Sequence, residues 1–341
     1  MKKIRTAIIG YGRSGQFLHG AGIRANAAFE VVAISTVSPS SKERAEADFA
    51  CPVYADYQQM FDEEDLDLVV IVTRNDMHCA MACDALKAGV NVLVTKPIGL
   101  NEAEVRKIIE AGNVHGKRIF PYLPSRWGSD LIRLQEIIES GEIGKVFCVR
   151  RATYGFATRD DWQTQRKFGG GIVLNWAPHL IDTPMLLAGG QPTSVFGLTD
   201  QVLNPGDAED IYYSIIKMDN GVTVHSEWSF APKGLPNWFV QGTSGCIIVH
   251  NQEIEIHSGV PIKPADPTKH KEMEGSGVTV RKETVGEHLY GDPVAIYAEL
   301  AADLTGVNAE GYRVTSDHAL QLTRVLDAVR DSQSQQTIIK L

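Results

Sequence analysis

Cysteine is scarce and poorly spaced for chemistry. The chain has 341 residues and only five cysteines. Cys79 and Cys83 are four apart in an apolar segment, so they share one face of a predicted helix and do not form the CxxC of a redox or zinc site. The pattern predicts reduced, mostly buried thiols in a reducing compartment.

Long apolar runs and an excess of positive charge are also missing. In the N-terminal stretch MKKIRTAIIG, glycine interrupts the apolar run after a few residues, so the stretch is too short for a signal peptide. No run in the sequence reaches the ~18 apolar residues of a membrane span. Acidic residues outnumber Lys and Arg by 42 to 33, which gives a formal charge of -9, whereas nucleic-acid binding needs a basic face. These features predict a cytoplasmic protein with neither a membrane nor a nucleic-acid partner.

Motifs for several chemistries are absent as well. The histidines of the second half lack metal-ligand spacing with Cys, Asp or other His, so we expect no metal. No GxSxG, P-loop or Cys–His pattern is present, which argues against acyl and phosphoryl transfer.

The first part of the chain alternates between strand-like and helical patterns. The strand-like runs, most of them apolar on both faces, are IRTAIIG, EVVAIST, the weaker CPVYA, DLVVIVT, NVLVTKP and RIFPYL. This alternation predicts an α/β Rossmann domain, a doubly wound parallel sheet with helices on both faces, over residues 1–122. In NEAEVRKIIEAG, Asn101 is the predicted N-cap, Glu104 lies at N3 and Gly112 is the predicted terminator.

The second part, residues 123–341, has a different pattern. Period-2 segments follow one another, with an Asn-Gly hairpin signal in MDNGV: SVFGLTDQV, DIYYSIIKMD, GVTVHSEWSF and CIIVHNQEIEIHS. Two helical patterns close the chain. We therefore predict an α+β C-terminal domain with a large, mostly antiparallel open sheet, and a polar surface excursion over residues 259–287.

A GxGxxG motif follows the first predicted strand and opens a helix. In that context Gly10 permits a tight turn, Gly12 lets the backbone approach a pyrophosphate and Gly15 lets helix pack on strand. The motif predicts a dinucleotide site at the helix N-terminus, formed by Gly10, Tyr11, Gly12, Arg13, Ser14 and Gly15. The alternative is a glycine-rich turn that binds nothing.

The end of the second strand bears on which nicotinamide cofactor binds. NAD-binding folds commonly place an acid there for the ribose hydroxyls, but Ser35 and Thr36 are followed by no acid before Glu43. An acid would repel a 2′-phosphate, whereas hydroxyls and cations can hold one. The sequence favours NADP(H), with NAD(H) as the alternative; the serines that follow can also simply cap the next helix.

Two further polar stretches lie at strand ends, where doubly wound sheets bind ligands. The first follows the strand DLVVIV and contains Thr73, Arg74, Asn75 and His78. The second is Lys96-Pro97, where a lysine precedes a stiff proline. We expect both stretches to line the cofactor crevice, against the alternative of an ordinary surface lysine.

The stretch GGGIVLNWAPHLID, residues 169–182, carries three polar side chains at helical spacing. Asn175, His179 and Asp182 would share one helix face. His179 titrates nearest neutral pH and suits proton transfer, and Asp182 could orient its ring. The alternatives are a satisfied helix histidine, a surface or interface carboxylate, and mere helix polarity for Asn175.

Taken in order, these motifs resemble those of the Gfo/Idh/MocA family of NAD(P)-dependent sugar and polyol oxidoreductases. The phosphate loop matches that of the family. T-R-N-D-M-H aligns with the family's T-P-N-x-x-H, with Arg74 in place of proline. T-K-P aligns with the family's E-K-P, with Thr95 in place of glutamate. Arg126-Trp127 resembles the Arg-aromatic pair that opens the second domain, and G-E-I-G-K-V matches G-x-I-G-x-V. Residues 169–182 resemble G-G-G-x-L-x-D-x-G-x-H-x-x-D, with Asn175 and Ala177 replacing the family's aspartate and glycine.

The resemblance implies an oxidoreductase that oxidises or reduces a secondary alcohol or ketone of a sugar, inositol or related polyol. Lys96 and His179 would be the catalytic residues, and the open sheet would mediate a homodimer or homotetramer. The expected substrate contacts are Asn175, Asp182, Arg126, Tyr154 and Trp162, of which the last two flank the GGG segment together with Asp161 and Arg166. Because Asn175 cannot act as a carboxylate, a catalytically inactive nicotinamide-nucleotide sensor is the alternative function, and a transferase or hydrolase with transient redox is a third.

Overall fold

Two sheets organise the molecule in the computed structural model, which describes residues 2–260, 266, 268–270, 277–307 and 310–341. A parallel sheet is built from the first part of the chain and a mostly antiparallel sheet from the second. The predicted fold class is therefore confirmed. No helix among these residues is long and apolar enough to cross a membrane.

The first sheet has six parallel strands in the order β3-β2-β1-β4-β5-β6 within the described residues. The strands are β1 (Ile4–Ile9), β2 (Phe29–Ser35), β3 (Val53–Tyr54), β4 (Leu68–Ile71), β5 (Asn91–Thr95) and β6 (Ile119–Tyr122). Every residue of β4 is buried, as expected for a strand covered by helices on both faces. The weak run CPVYA gives only the two-residue edge strand β3.

Helices cover both faces of this sheet. They are a π-type turn at Gly15–Gly20 that continues into α1 (Ala21–Arg24), then α2 (Pro39–Asp48), α3 (Tyr57–Glu63), α4 (His78–Lys87) and α5 (Glu102–His115). Asn101 caps α5 as predicted, since its side chain accepts a hydrogen bond from the backbone N–H of Glu104 at 3.0 Å.

The predicted end of α5 at Gly112 is wrong. The helix continues to His115 and ends at Gly116, whose φ of 61° lies in the left-handed region. Gly112 serves packing instead, because a Cβ there would lie 2.8 Å from the Ile119 side chain of β6.

The second sheet has nine strands in the order β14-β13-β12-β11-β7-β10-β9-β8-β15 among the described residues. Only β7 and β10 pair in parallel. The strands are β7 (Val146–Gly155), β8 (Pro192–Asp200), β9 (Ile211–Met218), β10 (Thr223–Phe230), β11 (Trp238–Gly242), β12 (Gly245–His250), β13 (Glu253–Ser258), β14 (Thr279–Thr284) and β15 (Ile339–Lys340). MDNGV forms the predicted hairpin between β9 and β10.

The predicted surface excursion over residues 259–287 is wrong in part. Its residues 279–284 form the edge strand β14. Their sequence, TVRKET, is mostly polar and shows no alternation of apolar and polar residues that would predict a strand. Residues 261–265, 267 and 271–276 of the excursion lie outside the described residues.

The second part of the chain also supplies helices that join the two sheets. They are α6 (Ser129–Glu139), α7 (Ile172–Asn175), α8 (Ala177–Ala188), α9 (Pro293–Leu304) and α10 (Ser316–Gln335). Helix α8 packs on β7 and β10, while α9 packs on α1 and α10 packs on both α5 and β8. The contact between α9 and α1 is close, because a Cβ on Gly22 would lie 2.5 Å from the Tyr297 ring. These contacts join the parallel sheet and its helices to the second part of the chain.

Candidate active site

A cleft of about 810 Å³ lies where the carboxyl ends of β1, β4 and β5 face α7 and α8. The phosphate loop lines one end, and Lys96, Asn175 and His179 line the other. A second cavity of about 490 Å³ adjoins it through Thr73 and Arg74, which line both. The two cavities together offer an elongated site at the position where parallel sheets bind dinucleotides.

The phosphate loop has the backbone that its glycines predict. Gly10 adopts φ +92°, and a Cβ there would lie 2.2 Å from the Val72 carbonyl oxygen. A Cβ on Gly15 would lie 2.5 Å from the Gly10 carbonyl oxygen, whereas Gly12 has open space where a Cβ would stand. The loop therefore leaves room beside Gly12 for a group to approach the backbone, and a pyrophosphate fits there.

Four of the six residues of this loop, Gly12 to Gly15, line the large cleft, and Tyr11 does not. Arg13 and Ser14 face the cleft. Tyr11 is fully buried, and its hydroxyl donates to Oδ2 of Asp48 at 2.8 Å. Burial, helped by that carboxylate, raises the pKa of Tyr11 to about 12. The Tyr11 side chain therefore fastens the loop to α2 and does not line the cleft, and the predicted cofactor contact of Tyr11 stays a prediction for its backbone alone.

Polar groups at the end of β2 line the second cavity. Ser35 and Thr36 are there as predicted, together with Asp56, which sequence reasoning missed. Asp56 is the N-cap of α3 and accepts from the backbone N–H of Gln58 at 2.9 Å. Ser38 stands at the N-terminus of α2 and lines the larger cleft.

The stretch after β4 ties the Rossmann sheet to the GGG segment. Thr73, Arg74 and Asn75 line the cleft. The Asn75 side-chain amide donates to the Gly169 carbonyl oxygen at 2.7 Å. The Arg74 guanidinium pairs with Asp76 at 3.1 Å and lies 4.1 Å from the centre of the Phe168 ring. This segment is therefore held against residues 168–169 by two contacts.

His78 and Pro97 do not line the cleft, so the prediction of direct cofactor contact is wrong for both. The His78 ring is fully buried, with Nδ1 2.7 Å from the Pro97 carbonyl oxygen and Nε2 3.2 Å from that of Thr73. Burial lowers the pKa of His78. A neutral ring can donate to only one of these carbonyls, and the shorter contact, from Nδ1 to Pro97, links the two polar stretches beneath the site.

Lys96 reaches across the cleft to α7. Its Nζ donates to the backbone oxygen of Asn175 at 2.7 Å and lies 3.2 Å from the side-chain Oδ1 of the same residue. Burial, followed by the positive charge of Arg159, lowers the pKa of Lys96 to about 8. Lys96 and Asn175, which are 79 residues apart in the sequence, are thus brought together in the cleft.

His179 lies on α8 with one ring nitrogen engaged and the other facing the cleft. Nδ1 is 2.7 Å from Oγ of Ser125, and Nε2 makes no hydrogen bond to a described residue. The rings of Trp176 and Tyr290 pack edge-on with it, at centroid distances of 6.0 and 6.2 Å. Burial, then the charges of Lys96 and Arg151, hold the pKa of His179 well below its usual 6.5. The ring is therefore neutral near pH 7, with Nε2 available for proton transfer.

Asp182 does not orient His179, and neither Asp182 nor Arg126 lines the cleft. The two form a buried bidentate ion pair with N–O distances of 2.7 and 2.8 Å. The predicted substrate contacts are wrong for both, since the pair instead joins α8 to the turn Pro124–Trp127. Ser125, one residue before Arg126, takes the orienting position that the sequence assigned to Asp182.

Of the residues flanking the GGG segment, Trp162 lines the cleft, and Gln163, which sequence reasoning missed, lines it too. Tyr154 does not, so its predicted substrate contact is wrong. Its hydroxyl bonds to Glu227, and it lies three positions after Arg151, which places the two side chains on opposite faces of β7. Asp161 and Arg166 also stay off the cleft lining, and Asp161 caps the turn at Trp162–Thr164.

Three aromatic residues that sequence reasoning missed also line the cleft. Tyr122, Trp176 and Tyr290 line the substrate end of the cleft. Tyr122 ends β6 and Trp176 lies within residues 169–182, so the sequence could have pointed to both as site residues. Tyr290 lies outside any helix or strand, in a segment with no motif that predicts a role. Across the described part of the chain, no group of three or more His, Cys, Asp and Glu could hold a metal ion.

Comparisons with known proteins agree with this architecture. Residues 4–123 match the GFO_IDH_MocA oxidoreductase family with its NAD-binding Rossmann fold, and residues 131–248 match the GFO/IDH/MocA C-terminal domain. The uncharacterized oxidoreductase YdgJ of Escherichia coli (strain K12) is 26% identical over 95% of this chain and 94% of its own length. The scyllo-inositol 2-dehydrogenase (NADP(+)) IolW of Bacillus subtilis (strain 168) is 22% identical over 99% of this chain and 96% of its own.

A solved structure shows the same fold. The crystal structure of an NAD-binding protein from Listeria innocua superposes with a TM-score of 0.87 at 24% identity, covering 99% of this chain and 97% of that one. With both family regions matched and the two-sheet fold in place, the chain belongs to the Gfo/Idh/MocA family of NAD(P)-dependent oxidoreductases.

Proposed function

We propose that the chain transfers hydride between NADP(H) and a secondary alcohol or ketone of a sugar, inositol or related polyol. The observation that carries this proposal is the convergence of Lys96, Asn175 and His179 on one cleft whose other end is the phosphate loop. Inositol dehydrogenation by a full-length relative supports the substrate class. The Trp162, Trp176 and Tyr290 rings offer apolar surface for the faces of a polyhydroxylated ring.

In the oxidising direction, His179 is the base. Its Nε2 takes the proton of the substrate hydroxyl, while Nδ1–H donates to Oγ of Ser125 and keeps the ring in that tautomer. The nicotinamide, when bound, accepts the hydride that leaves the carbinol carbon. The alcohol thus loses one hydride and one proton and becomes a ketone, and His179 returns its proton to water.

Lys96 stabilises the charge that this proton transfer creates. An ammonium has three N–H donors, and two of them are directed at the oxygens of Asn175. The third is left for a substrate oxygen as it becomes an alkoxide. In the reducing direction the same group polarises the ketone.

Three observations support a preference for NADP(H) over NAD(H). Ser35 and Thr36 supply hydroxyls in the second cavity, and Ser38 stands at the start of α2, where backbone N–H groups favour an anion. Arg74 lines the same cavity. Asp56 is the one acid in that lining among the described residues, and its Oδ1 is engaged in the cap of α3. A measured Kd for NADH below that for NADPH would overturn this preference.

We also propose the organisation around the site. The Rossmann domain would end at residue 122 and the substrate and oligomerisation domain would run over residues 123–341. A homodimer or homotetramer would form through the sheet face that faces away from α8. Five free thiols fit a reducing compartment, and we propose the cytoplasm.

The direct test is turnover. The protein is incubated with NADP and a panel of sugars, inositols and polyols, and absorbance at the band of the reduced cofactor is followed; NADPH with the corresponding ketones tests the reverse direction. We expect substrate-dependent turnover. Tight NADPH binding without turnover on any substrate would instead favour the nicotinamide-nucleotide sensor, a function that Asn175 in place of a carboxylate makes worth testing. Release of a leaving group would reveal a transferase or hydrolase.

A further inference from the structure

The cleft has an unusual charge balance for so acidic a chain. The chain carries a formal charge of -9, yet no Asp or Glu is among the described residues that line the large cleft. Arg13, Arg74 and Lys96 do line it. Arg74 is paired with Asp76, and Arg13 belongs to the phosphate loop at the other end of the cleft, so among the described residues Lys96 is the cation without a counterion at the catalytic end.

Lys96 has neutral partners only among the described residues. Both of its hydrogen bonds go to oxygens of Asn175, and the remaining N–H points to no described acceptor. A desolvated ammonium is costly unless an opposite charge accompanies it. In the family motif that this stretch resembles, position 175 carries a carboxylate, whereas here it carries an amide.

Neighbouring acids do not supply the missing charge. Asp182 is committed to Arg126 in the buried pair. Glu209, behind the GGG segment, lies 3.3 Å from the backbone nitrogen of Val173, and burial raises its pKa. Neither carboxylate lines the cleft. The charge balance of the site is therefore incomplete until a ligand enters.

A second positive charge acts on the same point. Arg159 lies on the segment that leads into Trp162, and its guanidinium bonds to the side chain of Gln163, which lines the cleft. Its charge reaches Lys96 strongly enough to contribute to the lowered pKa of that group. Arg159 is paired with Asp161 at 3.1 Å and does not line the cleft, so Lys96 is the charge that an entering anion would balance and a neutral polyol would not.

We propose that the substrate is an anion, a sugar acid or polyol acid whose carboxylate supplies the counterion that position 175 no longer provides to Lys96. This inference rests on the proposed function and narrows its substrate class. The acid would bind with its reacting hydroxyl between Nε2 of His179 and the third N–H of Lys96, and with its carboxylate close enough to Lys96 to balance its charge. Asn175 would accept from Lys96 without repelling the bound anion, which an aspartate at that position would do.

The test compares acids with matched neutral molecules. Steady-state kcat/KM with NADP is measured for D-glucuronate and its methyl ester, D-galacturonate and D-galactose, and D-gluconate and D-sorbitol. We expect the acid of at least one pair to be preferred by about tenfold or more, the effect of one charge interaction of about 1.4 kcal/mol. Equal or better kcat/KM for all the neutral members would overturn the anionic substrate and leave hydride transfer intact.

A variant addresses the cause of the preference. Asn175→Asp restores a carboxylate beside Lys96 and is expected to reduce the acid-to-neutral ratio at least tenfold, with the NADPH Kd and the thermal midpoint as controls of folding. An unchanged ratio would contradict the assignment to position 175.

A binding measurement separates this proposal from the proposed function. Each pair is titrated calorimetrically into the protein saturated with NADPH, in which no oxidation can occur. An acid that binds tenfold more tightly than its neutral partner, in a protein without turnover, would support the anion site and contradict hydride transfer. If the neutral partners bind as tightly, or none of the six compounds binds, the anion proposal is wrong.

Discussion

The Oγ atom of Ser125 lies 2.7 Å from Nδ1 of His179. The contact is one of two successive links between the turn after β6 and helix α8, since Arg126 and Asp182 form the next one at 2.7 Å. The ion pair holds the turn against α8, and Ser125, in the same turn, holds the imidazole of His179 on α8. Proton transfer at Nε2 depends on this arrangement, because the two ring nitrogens are coupled through the tautomer.

Removal of the Ser125 hydroxyl is expected to impair proton transfer. In Ser125→Ala the ring loses a hydrogen bond worth about 1–3 kcal/mol when a buried partner is left unsatisfied. Since about 1.4 kcal/mol of activation free energy corresponds to a tenfold change in rate, we expect kcat to fall by about 10- to 100-fold. We expect little change in KM. Steady-state kinetics on a substrate found by the turnover assay measures both constants.

The conservative variant provides the control for Ser125. Ser125→Thr keeps a hydroxyl at the same position and is expected to restore most of kcat. A purely structural serine would make both variants fail together and would lower their thermal midpoints alike. Wild-type kcat in Ser125→Ala would show that the contact has no part in the reaction.

The pH dependence of oxidation follows from the two shifted groups. The base must be neutral, and since the pKa of His179 lies well below 6.5, activity is retained down through pH 6.5 and is lost only at lower pH. The ammonium must be charged, and since the pKa of Lys96 is lowered to about 8, activity declines as pH rises through that value. We expect kcat/KM to be flat between these limits and to fall outside them.

Asn175→Asp tests the origin of these limits. A carboxylate at position 175 would raise the pKa of both neighbouring bases, so both limbs of the profile should move to higher pH. The account of the two groups is contradicted if wild-type kcat/KM already declines on acidification through pH 6.5, or if its alkaline limb lies at the ordinary lysine value of 10.5.

The Arg126–Asp182 pair lines no part of the cleft, and its main expected contribution is to stability. Both side chains are less than a tenth exposed, at 7% and 3%. Asp182→Asn removes one charge and leaves the other buried, which costs about 3–5 kcal/mol in comparable pairs. Urea denaturation should show a loss of that size in the free energy of unfolding.

An exposed pair is the matched control for that stability measurement. Arg106 is 57% exposed and pairs with Glu102 along α5, so Arg106→Gln should cost no more than about 0.5 kcal/mol. Equal small losses in Asp182→Asn and Arg106→Gln would contradict a structural role for the buried pair.

Much of the fold follows from local pattern. Apolar runs such as DLVVIV predicted buried parallel strands, and alternation in DIYYSIIKMD predicted a half-buried antiparallel strand. Gly10 and Gly15 were predictable because their close backbone contacts admit no side chain. Strand β14 was missed because both of its faces are largely polar at the sheet edge.

The sequence motifs identified residues near the site, but they did not show which side chains face the cleft. Helical spacing brought His179 and Asp182 to one face, but spacing alone does not say which of them meets the cleft and which meets Arg126. Tyr154 failed because strand parity turns it away from the cleft. Tyr290 joins the site through tertiary packing against Trp176, and no local pattern encodes that contact.

An apolar block on the open sheet face predicts self-association. Phe196 and Leu198 on β8 stand opposite Ile215 and Tyr213 on β9, and all four are exposed, by 37%, 42%, 44% and 40%. Contiguous exposed apolar side chains of this kind mark interfaces. Light scattering after size exclusion should give the mass of at least a dimer, and Ile215→Glu should shift it toward the monomer.

The control for that experiment is a single exposed apolar residue elsewhere. Val114 on α5 is 71% exposed, and Val114→Glu should leave the mass unchanged. A monomeric wild-type protein, or an oligomer that Ile215→Glu does not disturb, would contradict assembly through this face.

The most direct test of the central claim is kcat/KM of Lys96→Ala and His179→Ala on a confirmed substrate, with the Kd for NADPH measured in parallel. General acid–base catalysis contributes about 10²- to 10⁴-fold, and the ammonium stabilises the alkoxide in the same step. The account predicts that each variant loses at least about 100-fold in kcat/KM while binding NADPH within about threefold of wild type. Near-normal kcat/KM in both variants would contradict it.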